Sequence, residues 1–218
     1  PTITSDGGGP IAAVNVAENG TAVTTVIATD ADLPAQTLTF AIAGGADAAE
    51  FAINSSTGVL AFVSAPDFET PTDVGTDNVY NVTVQISDGT LTDTQAIAVT
   101  VTPVNDNAPV VDPAQSFNIF ESATNGTSLG TITAMDADAS TTFSSWTITG
   151  GNTDGIFAIN SSTGELTVFD NTNLDFETTP SYVLSLTVSD GTNTSAAENV
   201  IINVTDAGDT PTNITLDN

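Results

Sequence analysis

The chain repeats itself. "FAINSSTGVL" at residues 51–60 returns as "FAINSSTGEL" at 157–166, and "DAD" at 30–32 returns at 136–138. "DFET" at 67–70 returns at 175–178, and "SDGT" at 87–90 returns at 189–192. The offsets stay between 102 and 108 residues, so two similar units follow one another. The first is expected over residues 1–107 and the second over 108–210. Residues 211–218, "PTNITLDN", restart the pattern and read as the beginning of a further unit. The opening "PTITSDGGGP" reads as the interior of a longer protein.

Within each unit the signal is all strand. "TAVTTVIAT", "QTLTFAIA", "VYNVTVQIS" and "TQAIAVTVT" alternate apolar with polar residues and are rich in Val, Ile and Thr. The second unit answers with "LGTITAM", "SSWTITG", "SYVLSLTVS" and "ENVIINVT". "SSTG" and "SDG" separate strands, and Asp-Gly is a strong hairpin signal. A short helical turn is expected near "ADAAEF". Short strands at this spacing predict an all-β fold of two tandem Ig-like, Greek-key β-sandwiches in a linear array. Phe40 and Ile42 are expected to point inward, as are Trp146 and Ile148. Trp146 could alternatively be an exposed platform for sugar, but its alternation with Ile148 favours the core.

Charge narrows the function. The chain has 27 acidic residues and no Lys, Arg or His. Carboxylates without side-chain cations look to metal ions, water or backbone amides for compensation. Nucleic acid is excluded as a partner because no phosphate could be neutralised, and an anionic membrane surface is disfavoured for the same reason. No 18-residue apolar run is present, so no direct membrane insertion is expected. Hydrophobic residues make up 39% of the chain, too many for a disordered acidic segment. Asp outnumbers Glu 20 to 7, and Asp is typical of turns and of oxygen cages for hard cations. Cysteine is absent, which closes thiol chemistry and disulfide support.

The acids collect where strands end. Unit one carries Glu18 after its first strand, Asp30 and Asp32 after its second, Asp67 and Glu69 in "PDFET", and Asp88 in "SDGT". Unit two carries Glu121, Asp136, Asp138, Asp175, Glu177 and Asp190 in the same order. Between them stands "VTPVNDNAPV", where Asn105, Asp106 and Asn107 end a β-branched run. Turn chemistry alone would account for that triplet. Spacing i, i+2 in an extended or turning segment sends two carboxylates the same way. Calcium takes six to eight oxygens from carboxylates, amides and carbonyls, so several converging loops are needed to hold one ion.

Glu after the first strand, Asp-x-Asp, Asp-Phe-Glu, Asp-Gly and a linker Asn-Asp-Asn-x-Pro, in order and twice over, resemble cadherin repeats. The nearest flavour is that of cadherin-like repeats in large bacterial surface and secreted proteins. The resemblance implies calcium ions at the junction between successive repeats. It implies Glu18, Asp67 and Glu69 as ligands from unit one, and Asp106 and Asn107 by side chain from the linker. Val104 and Asn105 would contribute by carbonyl, Asp136, Asp138 and Asp190 from unit two, and Asn152 in "GGN" by carbonyl. Asp30, Asp32 and Asp88 would serve a junction with a preceding repeat. Glu121, Asp175, Glu177, Asp206 and Asp209 would serve one with a following repeat. This chain departs from the family at Pro103, where an Asp ligand is usual. It departs again in the second linker, where Gly208 replaces the linker aspartate and Asp206 would compensate by a register shift.

The implied function is a calcium-stiffened segment of an extracellular or cell-surface adhesin. Its partners would be neighbouring repeats of the same chain, polysaccharide or another cell-surface protein. The alternative is a polysaccharide-binding module of a secreted carbohydrate-active protein, which a row of exposed aromatics would favour. An enzyme is not expected: paired carboxylates such as Asp67 and Glu69 could in principle act on a glycosidic bond, but the regular repetition of the acids in both units argues for ligation. The segment "PTDVGTDNVY" after Glu69 has no counterpart after Glu177. It is read as a solvated hairpin tip rather than a private calcium loop of Asp73, Asp77 and Asn78. The Asn-x-Ser/Thr sequons, such as Asn81 and Asn203, are read as by-products of Thr- and Asn-rich strands.

Overall fold

A computed structural model describes residues 1–138 and 142–208. The chain divides into two compact units after Val104. The linker triplet Asn105–Asn107 thus belongs with the second unit, whereas the expected boundary follows Asn107. The reason is local: the Asn107 N–H donates to Asp138 Oδ2 at 2.9 Å, and its carbonyl accepts from Asn193 Nδ2 at 3.0 Å. The expected start of a further unit at 211–218 lies outside the described residues.

Unit one contains β1 (Thr2–Ile3), β2 (Ile11–Ala17), β3 (Ala22–Thr25), β4 (Ala28–Thr29), β5 (Thr39–Gly44), β6 (Phe51–Ile53), β7 (Val59–Phe62), β8 (Val79–Ser87) and β9 (Thr92–Thr102). A four-stranded sheet runs β2-β9-β8-β5, a three-stranded sheet β3-β7-β6, and β1 pairs with β4. β2 and β9 are parallel, with Ile11 opposite Ala96 and Ala17 opposite Thr102; the other pairings are antiparallel. The expected helical turn is a single 3₁₀ turn at Ala48–Glu50.

Unit two repeats the plan with β10 (Val110–Val111), β11 (Ser116–Phe120), β12 (Ser128–Thr131), β13 (Ala134–Met135), β14 (Ser144–Gly150), β15 (Phe157–Ile159), β16 (Glu165–Val168), β17 (Ser181–Ser189) and β18 (Glu198–Thr205). The sheets are β11-β18-β17-β14, β12-β16-β15 and β10-β13. The fold is all-β, two tandem Ig-like sandwiches as expected.

Alternation places the cores. In β8 the inward row is Tyr80, Val82, Val84 and Ile86; in β17 it is Tyr182, Leu184, Leu186 and Val188. Trp146 is 4% exposed and packs in the second core with Ile148 against it, which removes the sugar-platform reading. Phe40 and Ile42 pack against the first core. "TAVTTVIAT" is one run in sequence but two strands in space. Val26 is buried between β3 and β4, and its N–H donates to Gly58 O at 2.8 Å. The strand changes partners there, from β7 to β1. "LGTITAM" divides in the same way at Ile132, whose N–H donates to Gly164 O at 2.9 Å. Gly45 and Gly151 follow β5 and β14 with φ of 112° and 78°. A Cβ at either would run into the backbone of the neighbouring strand.

Candidate functional site

The Asp-Gly turns show how one side chain can build the fold and still face a site. Asp88 Oδ1 accepts the N–H groups of Thr90 and Leu91 at 2.6 and 2.7 Å, and Gly89 takes φ 93°. Asp190 Oδ1 does the same with Thr192 and Asn193, both at 2.6 Å, with Gly191 at φ 99°. Those donors stabilise the anion. The N–H groups of Leu91 and Thr90 hold the Asp88 carboxyl below its ordinary value. At Asp190 burial pushes upward, but the N–H groups of Asn193 and Thr192 outweigh it. Each aspartate keeps its second oxygen, Oδ2, buried and without a hydrogen bond.

In unit two Asp190 meets Asp136 and Asp138, with carboxylate oxygens of all three within 4.8 Å of one another. Asp136 Oδ1 accepts the Asp138 N–H at 3.0 Å, an Asx turn that turns both carboxylates one way. Asp138 is 5% exposed and takes two bonds from Asn107. Asn105 adds an oxygen: its side chain lies close enough to Asp190 to favour the anion, and its Oδ1 is buried without a partner. With Asp136 Oδ2 and Asp190 Oδ2, three buried oxygens lack donors. Leaving buried polar atoms unpaired is costly. An all-oxygen set of this kind fits a hard divalent cation such as calcium better than a soft transition metal.

Unit one has the matching group at Asp30, Asp32 and Asp88. The opposite end of unit one gathers Glu18, Asp67 and Glu69. Glu18 is 4% exposed. It accepts the Val104 N–H through Oε1 and the Phe68 N–H through Oε2, both at 2.7 Å. Glu121 does the same in unit two, with Ala207 N–H at 2.6 Å and Phe176 N–H at 2.8 Å. Glu121, Glu177 and Asp206 come together there.

Several expected ligands sit differently. Asn152 is not at the Asp136–Asp190 end. β14 pairs Ser144 with Ser189, beside Asp190, and Gly150 with Ser185, so Asn152 lies past the far end of the strand, roughly 20 Å away by strand rise. Its amide instead pins Phe157, with Nδ2 donating to the carbonyl at 2.8 Å and Oδ1 accepting the N–H at 3.1 Å. Val104 enters through its N–H to Glu18. Asn107 gives its side-chain amide to Asp106 Oδ1 and Asp138 Oδ1, at 3.1 and 2.8 Å. Asp175 caps its own turn, accepting from Glu177 N–H and Thr178 N–H at 3.0 and 3.3 Å, and is not brought into the Glu121 group. Asp206 does join that group and accepts the Gly208 N–H. Asp209 lies outside the described residues.

The extra segment of unit one keeps the expected solvated tip at residues 74–77, but aspartates at its base are buried. Asp73 is 3% exposed and accepts the N–H groups of Asp77 and Asn78, both at 3.1 Å. Asp47 is 4% exposed, and its two oxygens take the N–H groups of Val74 and Asn81, both at 2.7 Å. Neither aspartate belongs to an acidic group with cation-ligand spacing among the described residues. Sequence reasoning passed over Asp47. The available signal was its replacement by Thr153 in the unit that lacks the segment.

Burial raises the Asp73 pKa, but its hydrogen bonds with Asp77 and Asn78 outweigh that and leave it below the ordinary value. A carboxyl whose folded pKa is depressed contributes stability above its unfolded pKa, and that contribution is lost as pH falls through the folded one. Acid titration of unit one should therefore show a loss below the ordinary aspartate range that Asp73→Asn flattens. Melting curves across that range check it; an unchanged slope in the variant would remove Asp73 as the cause.

Comparison with known proteins agrees with the fold. Curated relatives include the mouse Cadherin EGF LAG seven-pass G-type receptor 2, 35% identical over 174 residues, covering 78% of this chain and 6% of that protein. Human Protocadherin Fat 1 is 32% identical over 212 residues, covering 90% of this chain and 4% of that protein. The chain thus spans a small fraction of the curated relatives it matches. They are animal cadherins, and the expected bacterial origin finds no support among them. Among solved structures, mouse Cadherin-23 EC22-24 aligns with TM-score 0.72 at 24% identity, over 94% of this chain and 66% of that one. Human Protocadherin-24 EC1-2 aligns with TM-score 0.71 at 24% identity, over 90% and 94%. Among the described residues no helix is long and apolar enough to cross a membrane. The cadherin domain profile matches residues 12–102 and again 115–205, most of the chain, and the protein therefore belongs to the cadherin family.

Proposed function

We propose that this chain is a calcium-binding repeat pair from the extracellular part of a cell-surface or secreted adhesion protein, with ions held at the ends of its sandwiches. The observation that carries this reading is the second-unit group. Three carboxylates converge, and Asp136 Oδ2, Asp190 Oδ2 and Asn105 Oδ1 are buried beside one another's residues without hydrogen-bond donors. The chain supplies no Lys, Arg or His to neutralise them. A calcium ion would accept those oxygens and offset their mutual repulsion. Cadherin domains are adhesion modules without enzymatic activity, and their partners are neighbouring repeats and other cadherins. The glycan-binding alternative is left without support, because Trp146 is in the core.

The cadherin pattern further assigns Glu18, Asp67, Glu69, Asp106 and Asn107 to ions shared with Asp136, Asp138 and Asp190. On that assignment calcium stiffens the joint between repeats, and its removal leaves a hinge. Small-angle scattering should then give a narrower spread of end-to-end distances in calcium than in chelator. Identical distributions in the two conditions would end the stiffening role, even if calcium binds.

A further inference from the structure

The turn after β2 holds a chemistry that the acidic groups do not use. Asn19 is followed by Gly20, and both are exposed. Asn19 sits at φ 65°, between two anchors: its N–H donates to Pro66 O at 3.0 Å, and Thr21 O accepts the Phe62 N–H at 2.8 Å. Gly20 has no side chain to shield its nitrogen from the neighbouring carboxamide. Its backbone lies outside the left-handed region, and an added Cβ would meet only Ala17 O, at 4.0 Å.

The chain has a second Asn-Gly pair at Asn125–Gly126. That pair is held. The Gly126 N–H donates to Val168 O at 2.7 Å. The nitrogen that would attack is committed to the sheet, and Gly126 is fixed at φ 88°.

We propose that Asn19 is a site of spontaneous deamidation, with water as the only co-reactant. The Gly20 backbone nitrogen attacks Asn19 Cγ and forms a five-membered succinimide. The Gly20 amide proton is lost and Nδ2 departs as ammonia. Water then opens the ring at either carbonyl and leaves an aspartyl or isoaspartyl linkage. One water enters, one ammonia leaves, and nothing is oxidised or reduced. The product places a new carboxylate directly after Glu18, at the Glu18–Asp67–Glu69 group. The isoaspartyl form also lengthens the main chain by one methylene between the Asn19 and Thr21 anchors. Unit two has Ser122 after Glu121, so the change is confined to one acidic end of one unit.

The test is ageing of the intact chain at mildly alkaline pH in chelator, so that the outcome does not depend on any bound ion. Trypsin is useless on a chain without Lys or Arg; a protease specific for acidic residues replaces it before mass spectrometry. Asn19 is expected to lose its amide several-fold faster than Asn125, with isoaspartate detectable by methyltransferase labelling. Gly20→Ala, which the open space at Gly20 accommodates, should suppress the loss at Asn19 and leave Asn125 unchanged; circular dichroism checks that it is folded. Loss at Asn19 no faster than at Asn125, or a folded Gly20→Ala that ages like the parent chain, would overturn the proposal.

Discussion

Saturating calcium is expected to raise the melting temperature of this protein by on the order of 10–20 °C per unit. An ion present at about 100 times its dissociation constant, and bound only by the folded state, adds about 2.7 kcal/mol. A change of 1 kcal/mol moves the midpoint of a domain this size by about 4–8 °C. Extracellular modules bind calcium at about 10⁻⁴–10⁻³ M, so the shift should develop at millimolar and higher concentrations. The physical reason is the lack of any side-chain cation: Asp138 and Asp190 are buried, Asp136 stands with them, and no basic side chain exists in the chain. Asp136→Ala is the informative variant. It removes one hydrogen bond, from the Asp138 N–H, at about 1 kcal/mol, and should abolish most of the calcium shift of unit two. Scanning calorimetry with and without calcium reads both effects. A full calcium shift in Asp136→Ala would put the ion elsewhere.

Glu18→Ala should be costly even in chelator, because Glu18 holds the fold whether or not an ion is bound. Its two oxygens accept the N–H groups of Val104 and Phe68 at 2.7 Å each, in a site 4% exposed. These bonds tie the end of β2 to the chain leaving β9 and to the Asp-Phe-Glu turn. Hydrogen bonds to a charged group contribute about 1.5–3 kcal/mol each. Unit one is therefore expected to lose about 3–5 kcal/mol, a large fraction of the stability of a domain this size. Chemical denaturation in chelator measures it without interference from calcium. Glu18→Gln should recover only part, since its amide presents an N–H₂ where one backbone N–H needs an acceptor. A loss below about 1 kcal/mol in Glu18→Ala would mean that water replaces the carboxylate at both donors.

Much of this was legible in the sequence because it is local. Alternation decides which face of a strand is apolar, so "VYNVTVQIS", "SSWTITG", "SYVLSLTVS" and "ENVIINVT" appear as strands with the expected ends. Asp-Gly demands a tight turn with a left-handed glycine, and both copies form it. Asp-x-Asp needs only an Asx turn to aim two carboxylates one way. The repetition of all these elements over the two units carries the cadherin pattern in the sequence itself.

Tertiary structure decided the rest, through contacts between residues far apart in the chain. The parallel pairing of β2 with β9 joins residues 85 positions apart, Ile11 with Ala96, and no short-range signal specifies it. "TAVTTVIAT" splits because Val26 turns into the core between two partner strands, which its own alternation does not encode. Asn152 is close in sequence to the acidic motifs but lies at the wrong end of β14. A strand carries its two termini to opposite ends of a sandwich, so sequence proximity and spatial proximity part there. Asp47 and Asp73 look like surface turn residues until the extra segment folds over them. Their burial exists only because backbone N–H groups from Val74, Asp77, Asn78 and Asn81 arrive to satisfy both carboxylates.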